Sequence, residues 1–109
     1  HINGIGAFTP EVQEVEVAGL RTGRIVVDSR PACLAEAGDL IIPLRQGLIP
    51  EAEAWTELGE IAAGRAPGRS SAEKITYFKS VGNAVQDVSV GQALLAAARR
   101  LGLGMEVEL

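Results

Sequence analysis

With 109 residues, the chain is long enough for one small domain with a buried core. Its hydrophobic content of 47% exceeds that of disordered chains, and ten scattered basic residues against fourteen acidic ones argue against binding a nucleic-acid backbone. A single cysteine excludes an internal disulfide and fits a reducing compartment, and no apolar run is long enough to span a membrane, so we expect a soluble cytoplasmic protein.

The first part of the chain predicts two strands with a short helix between them. The first candidate strand is Ile2 to Gly6, and Thr9 and Pro10 look like the N-cap and first position of a helix of a turn or two. The β-branched run Arg24–Asp28 is typical of a strand buried in a parallel sheet. Because the chain opens inside a predicted strand, we expect it to be a piece of a longer protein.

Two helical patterns follow. Pro31 opens the first and Gly38 ends it, and the second is predicted from Pro50 to Gly64, with Trp55 as a core residue. Between them, the run from Asp39 to Pro43 is apolar but too short to assign.

The last part predicts a loop over residues 64–71, a strand from Ile75 to Lys79 and a long helix. Asn83 is the expected N-cap of this helix, and Gly102 ends it. The apolar stripe of the helix is wide, which predicts that other structure covers it on more than one side.

The alternation of strands and helices predicts an α/β fold with three parallel strands, which is half of a doubly wound sheet. An isolated half would expose a strand edge and leave one sheet face uncovered, a state that proteins usually avoid.

The spacing Gly4-x-Gly6-x-x-Thr9, with Asp28 ending the next strand, imitates a dinucleotide fingerprint. In such a fingerprint the glycines let a pyrophosphate approach a helix N-terminus, and the acid binds the ribose. Thr9 replaces the third glycine, however, and Pro10 lacks a backbone donor. The sequence therefore favours glycines that are needed for a tight exit from the strand, with pyrophosphate binding as the alternative.

The segment Phe78–Gly82 is the second candidate site. Ser80 offers a hydroxyl at the carboxyl end of a predicted strand, and Gly82 permits close approach of the backbone. A ligand-binding turn and an ordinary strand-to-helix turn are equally compatible with this spacing.

Other candidate residues carry weaker signals. His1 has no nearby partner of metal-ligand type, so no metal site is predicted, and we expect it to be solvated. Cys33 has no positioned histidine and is expected to pack against the sheet. Glu57 and Glu60 could form a carboxylate pair but more often belong to a solvated helix face.

Four segments, in this order, resemble the ornithine cyclodeaminase/mu-crystallin family over essentially the whole chain. They are HINGIGAFTPEVQEV, RIVVDSRPACLAEAGDL, ELGEIAAGRAPGR and ITYFKSVGNAVQDVSV. The resemblance implies the C-terminal half of a Rossmann-like domain that binds NAD or NADP. It also implies a homodimer when full length, with residues 83–102 packing towards a substrate and dimerisation domain that lies upstream, together with the pyrophosphate fingerprint. The implied ligands are a cofactor and a small amino acid or cyclic imine, with neither nucleic acid nor membrane.

By resemblance, five residues line the nicotinamide side of the cofactor site and one touches substrate. The cofactor residues are Ile5, Gly6, Ala7, Phe8 and Ser80, and the substrate residue is Val81.

Phe8 stands where the cyclodeaminases carry a catalytic aspartate, and Val12 matches a lysine that contacts cofactor in those enzymes. Because phenylalanine cannot exchange protons, no catalytic side chain is predicted. The resemblance then favours an NAD(P)-dependent cyclic imine reductase, such as a ketimine or pyrroline-2-carboxylate reductase, or an amino-acid dehydrogenase. The alternatives are ornithine cyclodeaminase proper, a non-catalytic truncated fragment, and a mu-crystallin-like ligand-binding protein. The sequence does not distinguish NAD from NADP.

Overall fold

The computed structural model describes residues 1–21 and 23–108. Four parallel strands form one sheet in the order β1-β4-β2-β3. They are β1 (Ile2–Gly4), β2 (Arg24–Val27), β3 (Thr56–Glu57) and β4 (Thr76–Lys79). The helices are α1 (Val17–Arg21), α2 (Arg30–Glu36), α3 (Gly38–Arg45), α4 (Leu58–Ala62) and α5 (Ala84–Leu101).

The predicted fold class is confirmed, and one predicted helix is wrong. In place of a continuous helix from Pro50 to Gly64, the chain forms a 3-10 turn at Ala52–Ala54, then β3, then α4. Trp55 is 2% exposed, as predicted, and its indole N–H donates to the Pro50 carbonyl at 3.0 Å. Trp55 lies in extended backbone between the 3-10 turn and β3, and the residues after it pair with β2 as a fourth strand.

Two further helix boundaries differ from the predictions. Thr9 and Pro10 lie in a turn, and the first helix begins only at Val17. Gly38 does not end a helix but begins α3, because α2 already ends at Glu36. Pro43 lies inside α3, so the unassigned apolar run is helical. The opening of α2 is confirmed, since Ser29 is the N-cap and a proline occupies the first turn.

One face of the sheet carries the core. Side chains that alternate along β2 and β4 pack there against α1, α2 and α3. The core residues are Leu20, Ile25, Val27, Cys33, Ala37, Leu40, Ile49, Ala52, Trp55 and Tyr77. The opposite face is open: Val26, Thr76 and Phe78 line a cavity of about 430 Å³ there.

The long helix α5 projects from the sheet. Its predicted ends are confirmed, with the Asn83 side chain accepting from the Val85 N–H at 3.1 Å and Gly102 in the left-handed conformation at φ 65°. None of its residues is buried, and Leu94 is 65% exposed. The expectation that it is covered on several sides is therefore not met by this chain alone. No helix in the described part of the chain is both long and apolar enough to cross a bilayer.

Candidate functional site

The carboxyl ends of β1, β4 and β2 lie side by side at one edge of the sheet. The Ser80 N–H donates to the Gly4 carbonyl at 3.1 Å, and the Asp28 N–H donates to the Lys79 carbonyl at 3.1 Å. These bonds bring together the segment after β1, the turn after β4 and the residues after β2. Ligands of open parallel sheets bind at this edge.

The Asp28 carboxylate organises the turn after β4. Its Oδ2 accepts hydrogen bonds from the Ser80 hydroxyl at 2.7 Å and from the N–H groups of Val81 and Gly82 at 3.1 Å each. Gly82 has a φ of 94°, a conformation that glycine adopts without strain. The turn is therefore held in one shape by a single carboxylate.

Hydrogen bonding keeps this carboxylate ionised. Partial burial acts to raise the pKa of Asp28, but hydrogen bonds from the Ser80 hydroxyl, the Ser29 amide, the Cys33 thiol and the Gly82 amide outweigh it and hold the pKa below its usual value. Burial, followed by the nearby charge of Asp28, raises the pKa of Cys33 to about 12. Cys33 is fully buried and belongs to the core that packs against the sheet, as the sequence predicted.

The segment after β1 presents two apolar side chains to solvent. Ile5 is 71% exposed and Phe8 is 62% exposed. Between them, Ala7 is buried, and the Gly6 N–H donates to Glu14 Oε1 at 2.8 Å. Because Ala7 is 1% exposed as a whole residue, the sequence-predicted contact of Ala7 with cofactor has almost no accessible surface in this structure.

A second carboxylate lies behind this edge in the core. Asp39 Oδ2 accepts from the Lys79 ammonium at 2.9 Å and from the Tyr77 hydroxyl at 3.2 Å. Its Oδ1 accepts from the N–H groups of Glu14 and Val15 at 2.7 and 3.1 Å. Burial acts to raise the pKa of Asp39, but the Lys79 bond and the two amides prevail and hold it below its usual value.

The apparent dinucleotide fingerprint is a tight strand exit. A Cβ on Gly4 would overlap the Tyr77 hydroxyl, and the Gly6 N–H is occupied by Glu14. No helix starts within residues 5–16, all of which the structure describes, and Asp28 holds the neighbouring turn. The interpretation as a pyrophosphate site is therefore wrong, and the alternative that the sequence favoured is confirmed.

The weaker candidates have structural roles. Glu57 and Glu60 form a capping box at the start of α4, which is a more specific role than the predicted solvated face. His1 is exposed, with Nδ1 2.6 Å from the Thr76 hydroxyl. Within the described ranges, no group of three potential metal ligands occurs.

A sequence profile of the ornithine cyclodeaminase/mu-crystallin family matches residues 1–99. The chain belongs to this family. Each motif of the earlier resemblance now has a place in the structure. Asp28 and Asp39, from the second segment, bind the Ser80 hydroxyl and the Lys79 ammonium of the fourth.

The curated proteins with similar sequences include reductases and a dehydrogenase. It is 42% identical over 109 residues to a delta(1)-pyrroline-2-carboxylate reductase of Bacillus cereus, covering 99% of this chain and 34% of the relative. It is 35% identical over 108 residues to an alanine dehydrogenase of Archaeoglobus fulgidus, covering 99% of this chain and 33% of the relative. The chain thus spans about a third of the length of these curated relatives.

A solved structure shares the fold. Delta(1)-pyrroline-2-carboxylate reductase of Thermococcus litoralis, in complex with NADH and L-proline, superposes with a TM-score of 0.84 at 37% identity. The match covers 98% of this chain and 33% of that protein. The fold is therefore that of an NADH-binding protein of this family.

Sequence reasoning found the exposed positions of the edge but not the residues that hold them. Asp28 was considered only as a ribose ligand. Asp39 lay in a run that was not assigned, Lys79 ended a predicted strand, and neither was given a role. A signal was present, because a charged residue within or beside a buried apolar run needs a partner of opposite charge or several hydrogen bonds.

Proposed function

We propose that this chain supplies the nicotinamide-facing edge of an NAD(P)-dependent oxidoreductase that reduces cyclic imines. The observation that carries the proposal is Phe8, an exposed apolar side chain. By resemblance, its position matches the catalytic aspartate of the cyclodeaminases. It follows β1 directly and thus lies at the same edge as the Ser80 turn.

The chemistry of this edge fits a nicotinamide ring. Ile5 and Phe8 offer apolar surface to a flat ring, the exposed Gly6 offers its carbonyl, and the buried Ala7 supports the segment from beneath. When bound, the nicotinamide cofactor supplies a hydride.

The Ser80 hydroxyl is suited to accept a hydrogen bond from the cofactor carboxamide. Its proton is donated to Asp28 Oδ2, and its oxygen lies 3.2 Å from the Gly82 N–H, which donates to it. One acceptor position remains on that oxygen. The neighbouring Val81 is half-buried and would present an apolar contact to substrate.

Imine reduction does not require an acid/base side chain at this edge of the sheet. The hydride adds to the carbon of a protonated C=N bond, and the bond's electron pair goes to nitrogen, which gives the amine. The protein must then position the reactants and exclude water, which Ile5 and Phe8 can help to do. Cyclodeamination of ornithine needs an acid/base group, and Phe8 cannot act as one.

An amino-acid dehydrogenase is the second candidate, supported by the similarity to an alanine dehydrogenase. Its chemistry is the same hydride transfer with an open-chain substrate. We further propose that the complete protein is a cytoplasmic homodimer, in which the exposed apolar side chains of α5 are covered by the rest of the protein.

The proposal can be tested by assaying the complete protein that contains this chain. Pyrroline-2-carboxylate, piperideine-2-carboxylate and pyruvate with ammonia are supplied with NADH or NADPH, and ornithine is supplied with NAD. We expect reduction of the cyclic imines, loss of activity in Phe8→Asp and retention in the matched control Phe8→Leu.

Four other outcomes would contradict the proposal. Proline formation from ornithine without imine reduction would assign a cyclodeaminase. Reduction of pyruvate with ammonia, without reduction of either cyclic imine, would assign an amino-acid dehydrogenase. Cofactor binding without any turnover would leave a binding protein of the mu-crystallin type, and neither binding nor turnover would indicate a non-catalytic fragment.

A further inference from the structure

The buried Ala7 anchors the middle of Ile5–Phe8 by packing, and in the described part of the chain the backbone of this segment makes one hydrogen bond, to a side chain. The pairing of β1 with β4 ends at Gly4, whose carbonyl accepts the Ser80 N–H. Beyond that point, the Gly6 N–H donates to Glu14 Oε1 at 2.8 Å. The position of the exposed apolar residues therefore depends on where the Glu14 carboxylate is held.

The Glu14 carboxylate is itself oriented by a buried cation. Lys79 Nζ lies 3.7 Å from the same Oε1 atom, and its side chain is fully buried, whereas the side chain of Glu14 is 38% exposed. The Glu14 backbone N–H also donates to the Asp39 carboxylate at 2.7 Å. Glu14 is thus fixed at its backbone and at its side chain, and it faces Gly6.

The fold does not require this carboxylate. Lys79 already pairs with Asp39 at 2.9 Å, and both side chains are fully buried. Loss of the Glu14 carboxylate would leave neither of these buried charges unpaired, so it should cost little stability. We infer that Glu14 is a positioning residue, whose carboxylate, held by Lys79, keeps Ile5–Phe8 in the arrangement that receives the nicotinamide. This inference rests on the proposed function and deepens it.

Gly6 is the donor in the hydrogen bond to Glu14 and lies against its carboxylate. A Cβ on Gly6 would overlap Glu14 Oε2, which is the far end of a flexible side chain. Gly6→Ala should therefore displace the carboxylate while the backbone stays in place. Gly6→Ala and Glu14→Ala then break the same contact, and their effects should not add.

The experiment is a double-mutant cycle in the complete protein. The variants are Gly6→Ala, Glu14→Ala and the double variant, and the measurements are KM for NADH, kcat for imine reduction and the midpoint of thermal unfolding. We expect each single variant to raise KM for NADH about 3- to 10-fold, as loss of one hydrogen bond implies. The double variant should be no worse than either single variant, and the unfolding midpoints should move little.

Two variants serve as controls. Glu14→Gln keeps an acceptor for the Gly6 N–H and should recover most of the affinity for NADH. Glu11→Gln changes an exposed carboxylate on the same loop and should change nothing. Hydrogen exchange at the Gly6 amide measures the Gly6–Glu14 hydrogen bond and does not require enzymatic activity. We expect faster exchange in Glu14→Ala.

The outcomes separate this inference from the proposed function. If the wild-type protein reduces no imine, the proposed function is contradicted. Hydrogen exchange at the Gly6 amide then decides whether Glu14 holds the Gly6 backbone. An active protein with additive effects, or with an unchanged KM in Glu14→Ala, overturns the inference alone. A fall in the unfolding midpoint with unchanged KM would make Glu14 a structural residue and would also overturn it.

Discussion

Two carboxylates bind the end of the same strand in different surroundings. Asp39 contacts Tyr77 and Lys79 of β4 inside the core, where its side chain is fully buried. Asp28 contacts Ser80 at the edge of the sheet and is half-buried. Asp39 neutralises a cation, whereas Asp28 accepts hydrogen bonds from uncharged groups.

The difference separates what supports the fold from what shapes the candidate site. A buried charge without its partner is strongly destabilising, so Asp39 and Lys79 depend on each other. Water can reach Asp28 and replace part of its bonding, so its loss should alter the Ser80 turn more than the stability of the protein. The predictions below test this contrast.

The largest expected effect is that of Asp39→Asn. It removes the negative charge that compensates the fully buried Lys79, and we expect the free energy of unfolding to fall by about 3–5 kcal/mol. Urea denaturation measures this. The double variant Asp39→Asn with Lys79→Met removes both charges, keeps an acceptor oxygen for the Glu14 and Val15 amides, and should recover much of the loss. A double variant as unstable as the single one would show that charge compensation is not the cause.

Asp28→Asn should have a smaller effect on stability. The amide keeps one acceptor oxygen for the Ser80 turn, and we expect a loss of about 1–2 kcal/mol. Because the uncharged amide would hold the turn less firmly than the carboxylate does, KM for nicotinamide cofactor should rise in the complete protein. Ser80→Ala removes one of the donors to Asp28 and should cost less than Asp28→Asn in the same urea titration. Equal losses for Asp28→Asn and Asp39→Asn would remove the contrast between the two sites.

Acid should weaken both contacts. The folded pKa values of Asp28 and Asp39 lie below the unfolded value of 3.8, so their stabilisation is present above that value and is lost as pH falls through the folded pKa. Urea titrations between about pH 6 and pH 2 should show stability falling with acid, and less steeply in Asp28→Asn. An identical pH dependence in that variant would mean that Asp28 has the same pKa in both states.

The smallest effect is expected at Cys33, which lies between the two sites. The thiol is fully buried and its pKa is raised to about 12, so a thiol reagent at pH 8 should not label the folded protein. The same reagent in urea should label Cys33 and serves as the control. Rapid labelling without denaturant would show that the core beside Asp28 opens readily.

Local signals predicted most of the elements correctly. The apolar runs of β2 and β4 and the caps of α5 lie within a residue or so of their predicted places. The prediction failed at Trp55, because helical spacing of apolar residues continues across a segment whose pairing partner, β2, lies some thirty residues earlier. Strand pairing at such a distance leaves little trace in local spacing.

The sequence by itself determined the fold class, the family and the residues that flank the candidate site, because periodicity, caps and motif spacing are local properties. Only the tertiary structure decided what Asp28, Asp39 and Glu14 do. Each depends on a group far along the chain: Asp28 on Ser80 across fifty-two residues, and Asp39 and Glu14 on Lys79. Which donors reach a carboxylate depends on which strands lie side by side in the sheet, and no single segment of the sequence encodes that lateral order.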